Sequence, residues 1–580
     1  MSSLVSIYKE FIRKAYDSSI ERALLIDVLK QLEEHLLYQR ERGCLFIVRA
    51  PTGYGKTSLT LSLIYGILAG EVDFLNRVMH VLPLRSIIDD IYESCLTMFE
   101  NKFNVPYELI KEAIGRQMMY ARGARYFQKL GVFTTYDTFT FMLAKIPTSD
   151  LKLISERKSL GYFEIPRASV MDSVVIFDEV QLMLCEGCEK ARTSLTSILH
   201  VLLSRMKVPV VLMGATIPDW LIRELKLLFS KKAAICILDF EPNKDPSFTE
   251  ERLRKILRTH IIEAEGNSIG TIVTTALENA SKDRLLIVLN TIKRARETYL
   301  RLRKEMGREE VFLLHSLFKP KDRQRILSSI RDSKRWILVS TQAVEAGVNI
   351  SAEVLITDAA PAPALIQRTG RVARFKGEIQ GEIYIIYDPR EGWKNVYTGI
   401  YSLQEVKDTI SYIRNCEDIA WHIPKGIREG SMGYLDILNS TSEVQYLILD
   451  KALNYMISSP VFVSDVIYRI LRTAYDGSFL RDEKLIEGYV IESQFMKTIR
   501  SHVNIAEYVL GELYEYGEPI PFSTSKMEQV LKKYSEKALV LVKYGGNWRI
   551  WKGIPFLERV DRIVFLIDEE LYSMEEGVKL

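Results

Sequence analysis

Short apolar runs alternate with polar or helical stretches along most of the chain. Leu45–Val48 is apolar, Pro51–Thr57 has the glycine and proline content of a turn, and Leu59–Leu68 resumes an apolar run long enough for a helix. Further β-rich runs stand at Val78–Leu82, Gly131–Thr134, Val174–Phe177 and Val208–Met213, each ahead of a polar or helical segment. This alternation predicts parallel strands, because a crossover between them consumes about a helix of chain. A second series repeats it at Leu285–Leu289, Val311–Leu314, Trp336–Ser340, Val354–Thr357 and Gly381–Tyr387. The turn-rich stretch Phe240–Phe248 marks the passage between the two, so the expected domains are 1–240 and 241–395. Beyond residue 395 the pattern turns to longer helical segments and a β-hairpin, Lys537–Tyr544 and Trp548–Trp551 around Gly545, Gly546 and Asn547. The expected fold is therefore α/β: two tandem parallel-sheet domains plus a mixed α+β accessory domain over 396–580. No repeat of solenoid period and no low-complexity tract interrupts it.

Composition narrows the partners. A chain of 580 residues exceeds one hydrophobic core, and 47% hydrophobic with 26% charged residues is an ordinary folded composition. A formal charge of +3 confines any nucleic-acid contact to a local basic track. The N-terminus is charged every few residues and does not read as a signal peptide, and the longest weakly polar stretch, Ser58–Gly70, is 13 residues. That is short of the roughly 20 that cross a bilayer. A cytoplasmic protein without a membrane span is expected. Of six cysteines only Cys185 and Cys188 lie close together. They lack the second ligand pair of a zinc site and read as packing residues.

Three segments carry chemistry. In APTGYGKTS, Ala50–Ser58, Gly53 and Gly55 let backbone N–H groups turn toward phosphates. Lys56 brings a cation to the β and γ phosphates, Thr57 offers a hydroxyl to magnesium, and Thr52 belongs to the same cradle. Asp178 and Glu179 follow an apolar strand, so both carboxylates emerge at its C-terminal end. Asp178 is the expected magnesium partner and Glu179 the group that orients or deprotonates water. In QRTGRVAR, Gln367–Arg374, Arg371 and Arg374 are three apart and would share a helix face, a guanidinium pair suited to a γ-phosphate. ATP and Mg2+ are the expected cofactors.

With these in order, the chain resembles helicase superfamily 2, and in detail the helicases of CRISPR type I interference. The resemblance covers roughly residues 20–390. VLPLRSI at Val81–Ile87, TTYD at Thr134–Asp137, DEVQ at Asp178–Gln181, GAT at Gly214–Thr216, LLHSLFKPKDR at Leu313–Arg323 and TQAVEAGVNI at Thr341–Ile350 carry it. It implies two RecA-like domains that clamp one ATP, with Gly347 and Gln367 also at the nucleotide. It implies Gln181 and Thr216 in coupling, and strand contacts from Arg85, Thr134, Thr135, Thr341 and Gln342 that grip phosphates without reading bases. The implied activity is ATP-dependent translocation on single-stranded DNA, 3′ to 5′, within an RNA-guided surveillance complex. Related alternatives are another superfamily 2 DNA or RNA helicase, or a nucleotide-gated recruitment subunit that does not unwind.

Three positions depart from the family pattern: Gln181 stands for the usual histidine, Gly214 for serine and Asn349 for aspartate. The chain also has no His-Asp dipeptide. The expectation is a helicase-only form that works with a separate HD nuclease subunit. Tyr544, Trp548 and Trp551 would suit a base-stacking platform, but alternation puts Trp548 and Ile550 on one face, and packing in a small sheet is the preferred reading.

Overall fold

The computed structural model describes the chain except residues 1, 18–19, 119–122, 156–157, 184–188, 265, 307–309, 346, 390–399, 428–429, 460–462, 475–484, 504–505, 545–546 and 554–561. Cys185, Cys188, Gly545 and Gly546 lie outside the described residues.

Seven parallel strands form the first sheet: β1 (Gly43–Arg49), β2 (Arg77–Leu82), β3 (Ile114–Gln117), β4 (Gly131–Thr135), β5 (Ser173–Phe177), β6 (Pro209–Gly214) and β7 (Ala233–Asp239), in the order β3-β4-β2-β5-β6-β1-β7. β1, β5 and β6 are buried along their whole length. Helices cover both faces of such a sheet, which is why its central strands are unbroken apolar runs. The second sheet is also parallel: β8 (Ile256–Glu263), β9 (Arg284–Val288), β10 (Val311–Leu314), β11 (Trp336–Ser340), β12 (Val354–Asp358) and β13 (Gln380–Tyr387), ordered β10-β11-β9-β12-β13-β8.

The apolar-run reading misses β3, β7 and β8, and all three are edge strands. An edge strand is half solvated and need not be apolar throughout; β8 has no buried position and alternates exposed and half-buried residues over Ile256–Ile261. The helix Pro246–Leu253 precedes β8, yet its Phe248 lies in the core of the first domain.

The stretch expected to be a single accessory domain instead divides its packing. The helices Leu403–Arg414 and Tyr434–Thr441, with the small strands β14 (Asp418–Ala420) and β15 (Ser431–Gly433), bury Val406, Ile410, Trp421 and Ile437 against the second sheet. Residues further on cross back: Leu453, Ile457, Ile467 and Leu471 join the first domain's core, and Lys145 Nζ donates to Ser459 O. The remaining chain builds a mixed sheet of β16 (Leu485–Ile491), β17 (Ile520–Ser523), β18 (Ala538–Tyr544), β19 (Asn547–Trp551) and β20 (Arg562–Asp568), ordered β17-β16-β20-β18-β19. Its tail returns to the second domain, where Val578 N donates to Leu317 O and Arg296 pairs with Glu576 at 2.7 Å. Secondary-structure pattern shows none of this, because packing partners are not encoded in periodicity.

The predicted hairpin pairs β18 with β19 antiparallel, Lys543 opposite Trp548. Trp548 and Ile550 pack against the small sheet's core as that reading expects, whereas Tyr544 and Trp551 are exposed. Among the described residues no helix is long and apolar enough to cross a membrane, and no group of three or more His, Cys, Asp or Glu side chains gathers around a possible metal.

Candidate active site

The loop after β1 is held from behind: Ala50 N donates to Gly214 O at 3.2 Å and Ser58 Oγ to Gly55 O at 2.7 Å. Gly53 and Gly55 have φ of +74° and +92°, a region that side chains resist. Their conformation leads into the helix Thr57–Leu68, whose N-terminal N–H groups and dipole favour an anion. Tyr54 anchors the loop on the side away from the sheet. Its hydroxyl donates to Asp245 and accepts from Leu24 N, and its ring meets Phe240 and Phe248 edge-on at 5.4 and 5.2 Å.

Lys56 is buried, with Nζ 3.7 Å from Glu179 Oε1. Glu179 adopts φ +53°, a strained backbone for a side-chain-bearing residue, and its N–H donates to Asp178 Oδ1 at 2.9 Å. Asp178 N is tied to Val81 O, which fixes the pair at the sheet's C-terminal edge. Burial, and next the Glu179 charge, push the Asp178 carboxyl up to about 7, with Lys56 opposing. His80 Nε2 lies 3.7 Å from Asp178 Oδ2, but burial pushes that imidazole down to about 3, so it brings no positive charge. A desolvated carboxylate at this edge, with Thr57 opening the helix after the phosphate loop, fits Mg2+. Thr57 and Asp178 would hold it, and the ion would neutralise phosphate charge.

The second domain reaches this loop. A Cβ on Gly370 would stand 3.3 Å from Thr52 Oγ1, so the arginine segment borders the phosphate loop. The shared-helix-face argument for Arg371 and Arg374 fails: the helix ends at Thr369, and Ala373 turns the chain through φ +45°. Arg371 donates to Val344 O at 3.1 Å and to Glu345 O at 2.6 Å, which ties it to its own domain. Arg374 donates to Val348 O at 3.3 Å and feels the Glu179 charge, although burial and Arg252 push its guanidinium down. Arg368 is fully buried, on Glu345 Oε1 at 2.8 Å, Thr357 Oγ1 at 2.8 Å and Asn290 Oδ1 at 3.1 Å.

Beside the nucleotide cleft lies a cavity of about 840 Å³ lined by both sheet domains and the C-terminal region. Gln181, Thr216, Thr341, Gln342 and Gln367 line it, and the phosphate loop does not. Gln367, expected at the nucleotide, thus faces this cavity. Gly347, also expected there, packs on the first domain: a Cβ in its place would collide with Ile87. Gln181 Nε2 donates to Glu179 Oε2, linking the cavity to the acidic pair. Thr134 and Thr135 do not face this cavity with free hydroxyls. Thr134 Oγ1 donates to Gln117 O at 2.6 Å, and Thr135 caps the helix Tyr136–Leu143 by accepting from Thr138 N at 3.2 Å. Arg85 begins the helix Arg85–Phe103, where its charge acts on Asp89. Sequence reasoning missed Arg22, Phe248 and Arg252, which surround the loop. Each is an ordinary residue in a turn or short helix, and no local pattern singles it out.

The model of the DEAD/DEAH box helicase family matches residues 30–224, and that of the CRISPR-associated nuclease/helicase Cas3, C-terminal, matches residues 281–377. A putative CRISPR-associated nuclease/helicase Cas3 of Methanocaldococcus jannaschii is 28% identical over 46% of this chain and 36% of its own length. A CRISPR-associated helicase Cas3 of Thermoproteus tenax is 24% identical over 63% of this chain and 59% of its own. The chain thus spans between about a third and three fifths of these curated relatives. Among solved structures, T. fusca Cas3-ATP superposes with a TM-score of 0.57 at 16% identity, over 83% of this chain and 60% of that one, a likeness of fold. The two matched segments fall on the two parallel-sheet domains and contain the phosphate loop, the acidic pair and the arginine segment: the first domain is similar to the DEAD/DEAH box helicases, and the second to the C-terminal part of the CRISPR-associated nuclease/helicase Cas3.

Proposed function

We propose that the protein uses ATP and Mg2+ to translocate 3′ to 5′ along single-stranded DNA and unwinds target DNA in type I CRISPR interference. In this reading it acts in the cytoplasm with an RNA-guided surveillance complex and a separate HD nuclease subunit. Its units would be a first RecA-like domain ending near residue 240–253, a second ending near 395, and a C-terminal region that braces both. The observation that carries the reading is the contact of Gly370 with Thr52, which brings the arginine segment of one domain to the phosphate loop of the other. A nucleotide at that junction bridges the domains, so binding and hydrolysis move one against the other.

Within the site, Lys56 binds the phosphates, Glu179 orients the attacking water, and Arg374 is the guanidinium placed to meet charge on the γ-phosphate. Arg371 positions the segment through the Val344 and Glu345 carbonyls. The cavity is the proposed strand path, with Thr341 and Gln342 on one wall and Lys293 and Lys526 contributing positive charge. Arg85 is a further candidate phosphate contact, at a helix N-terminus.

The test is the ATPase rate without polynucleotide, with single-stranded DNA and with single-stranded RNA, beside Lys56→Ala, followed by strand displacement. Strong stimulation by DNA with displacement supports the proposal, and stimulation by RNA alone would assign an RNA helicase. A second reading, a nucleotide-gated recruiter, is favoured by the bond from Gln181 to Glu179, which occupies the proposed water-orienting carboxylate. DNA-stimulated hydrolysis without displacement would support that reading.

A further inference from the structure

Arg252, on the helix between the two sheets, is 6% exposed and presents a guanidinium to the phosphate loop: a Cβ on Gly53 would stand 2.7 Å from its Nη2. The Phe248 ring supports the guanidinium from one side, with Cζ 4.9 Å from the ring centroid. Nη1 reaches Arg374 O at 3.4 Å, across to the second domain, and Nε has no hydrogen-bond partner. Among the described residues no carboxylate closes an ion pair with it; the adjacent Glu251 pairs with Lys255 at 3.7 Å. Of the charges that act on it, Glu251 is negative and Arg22 positive. Arg22 Cζ lies 4.8 Å from the centroid of the same Phe248 ring and Arg374 is half-buried, while burial pushes the His422 imidazole well down, so it adds no charge. Burial pushes the Arg252 guanidinium down, with Glu251 opposing and Arg22 adding to the fall.

A desolvated, half-partnered cation is costly unless an anion joins it. Glycine at position 53 leaves room for that guanidinium, and the same glycine belongs to a loop whose N–H groups face phosphate. We propose that Arg252 binds the phosphate chain of the nucleotide from the linker side and, through Arg374 O, ties nucleotide occupancy to the position of the second domain. This rests on the ATPase reading of the site and adds to it a third arginine, one outside the arginine segment. Arg252 would act on both ATP and ADP, because it approaches the loop rather than the water-orienting Glu179. A guanidinium is suited to this, since it offers one edge to an anion while another stays on a carbonyl.

The experiment compares wild type, Arg252→Gln, Arg252→Lys and Lys56→Ala by melting temperature without nucleotide, affinity for ATP and ADP, and the KM and kcat of hydrolysis. A charged hydrogen bond lost to phosphate weakens binding roughly tenfold or more. The expected result is that loss for both nucleotides in Arg252→Gln, partial recovery in Arg252→Lys, and a nucleotide-free melting temperature equal to or above wild type. A merely structural arginine gives the opposite signature, a lower nucleotide-free melting temperature with affinity within twofold of wild type, and that result overturns the proposal. Wild type that binds neither ATP nor ADP, indistinguishable from Lys56→Ala, would instead overturn the ATPase reading.

Discussion

Gln181 fills the space that a side chain on Gly214 would need: a Cβ there would collide with Gln181 Oε1. The two departures from the helicase pattern in the acidic and coupling segments are therefore one physical unit, a long amide accommodated by the absence of a side chain. That amide reaches Glu179 with its nitrogen, while Gln181 Oε1 is buried without a hydrogen-bond partner. Thr216 Oγ1, which lies in the same cavity wall, is likewise unpartnered.

Gly214→Ser should therefore damage this protein although serine is common at that position in the resembled family. Overpacking of this kind costs about 1–3 kcal/mol. DNA-stimulated ATPase should fall with stability, and Gln181→Ala in the same chain should recover the stability. Melting curves of the two single variants and the double variant check this; additive losses would show that the two positions are independent.

Gly347 faces Ile87 across the domain boundary, with φ +76°. Gly347→Ala should hinder domain closure twice over, by collision and by a left-handed backbone penalty of about 1–2 kcal/mol. Hydrolysis should drop, and adding Ile87→Ala should restore part of it, because only the collision is relieved. No recovery at all in a kinetic double-mutant cycle would mean that the contact does not govern closure.

Arg368 is a brace, although it stands in the arginine segment. Burial pushes the Glu345 carboxyl up, and Arg368 is the leading influence that opposes it. Arg368→Ala leaves that carboxylate buried and alone, a loss of about 3–5 kcal/mol. Urea unfolding should show it. Unchanged stability together with abolished hydrolysis would make Arg368 a catalytic group instead.

Acid should weaken the fold through its buried histidines. Burial pushes His80 and His315 down to about 3, against about 6.5 for the unfolded chain. Between those values the unfolded state binds more protons, so stability is lost as pH falls through that window and is unaffected by these groups above it. His315 Nδ1 accepts from Leu317 N at 3.2 Å, so protonation there also breaks a bond beneath the C-terminal tail. His315→Gln should flatten the fall in melting temperature between pH 6.5 and 4; an unchanged slope would remove His315 from the account.

The sequence by itself determined the central parts of the protein. A buried parallel strand must be apolar on both faces, so β1, β5, β6 and their counterparts in the second sheet are visible as runs. The chemistry of Lys56, Asp178 and Glu179 is visible too, because a phosphate cradle and a paired acidic edge are made from neighbours in the chain. Only the tertiary structure decided what depends on residues far apart: the edge strands, the three-way division of residues 396–580, and the contacts of Gly347 with Ile87 and Gly370 with Thr52. It also separated Arg368, Arg371 and Arg374, which look alike in sequence. The helix that would have aligned two of them stops at Thr369, and each guanidinium takes the partner that its own turn of backbone presents. Local pattern records which side chains are available; burial and long-range contact determine which charge each one meets.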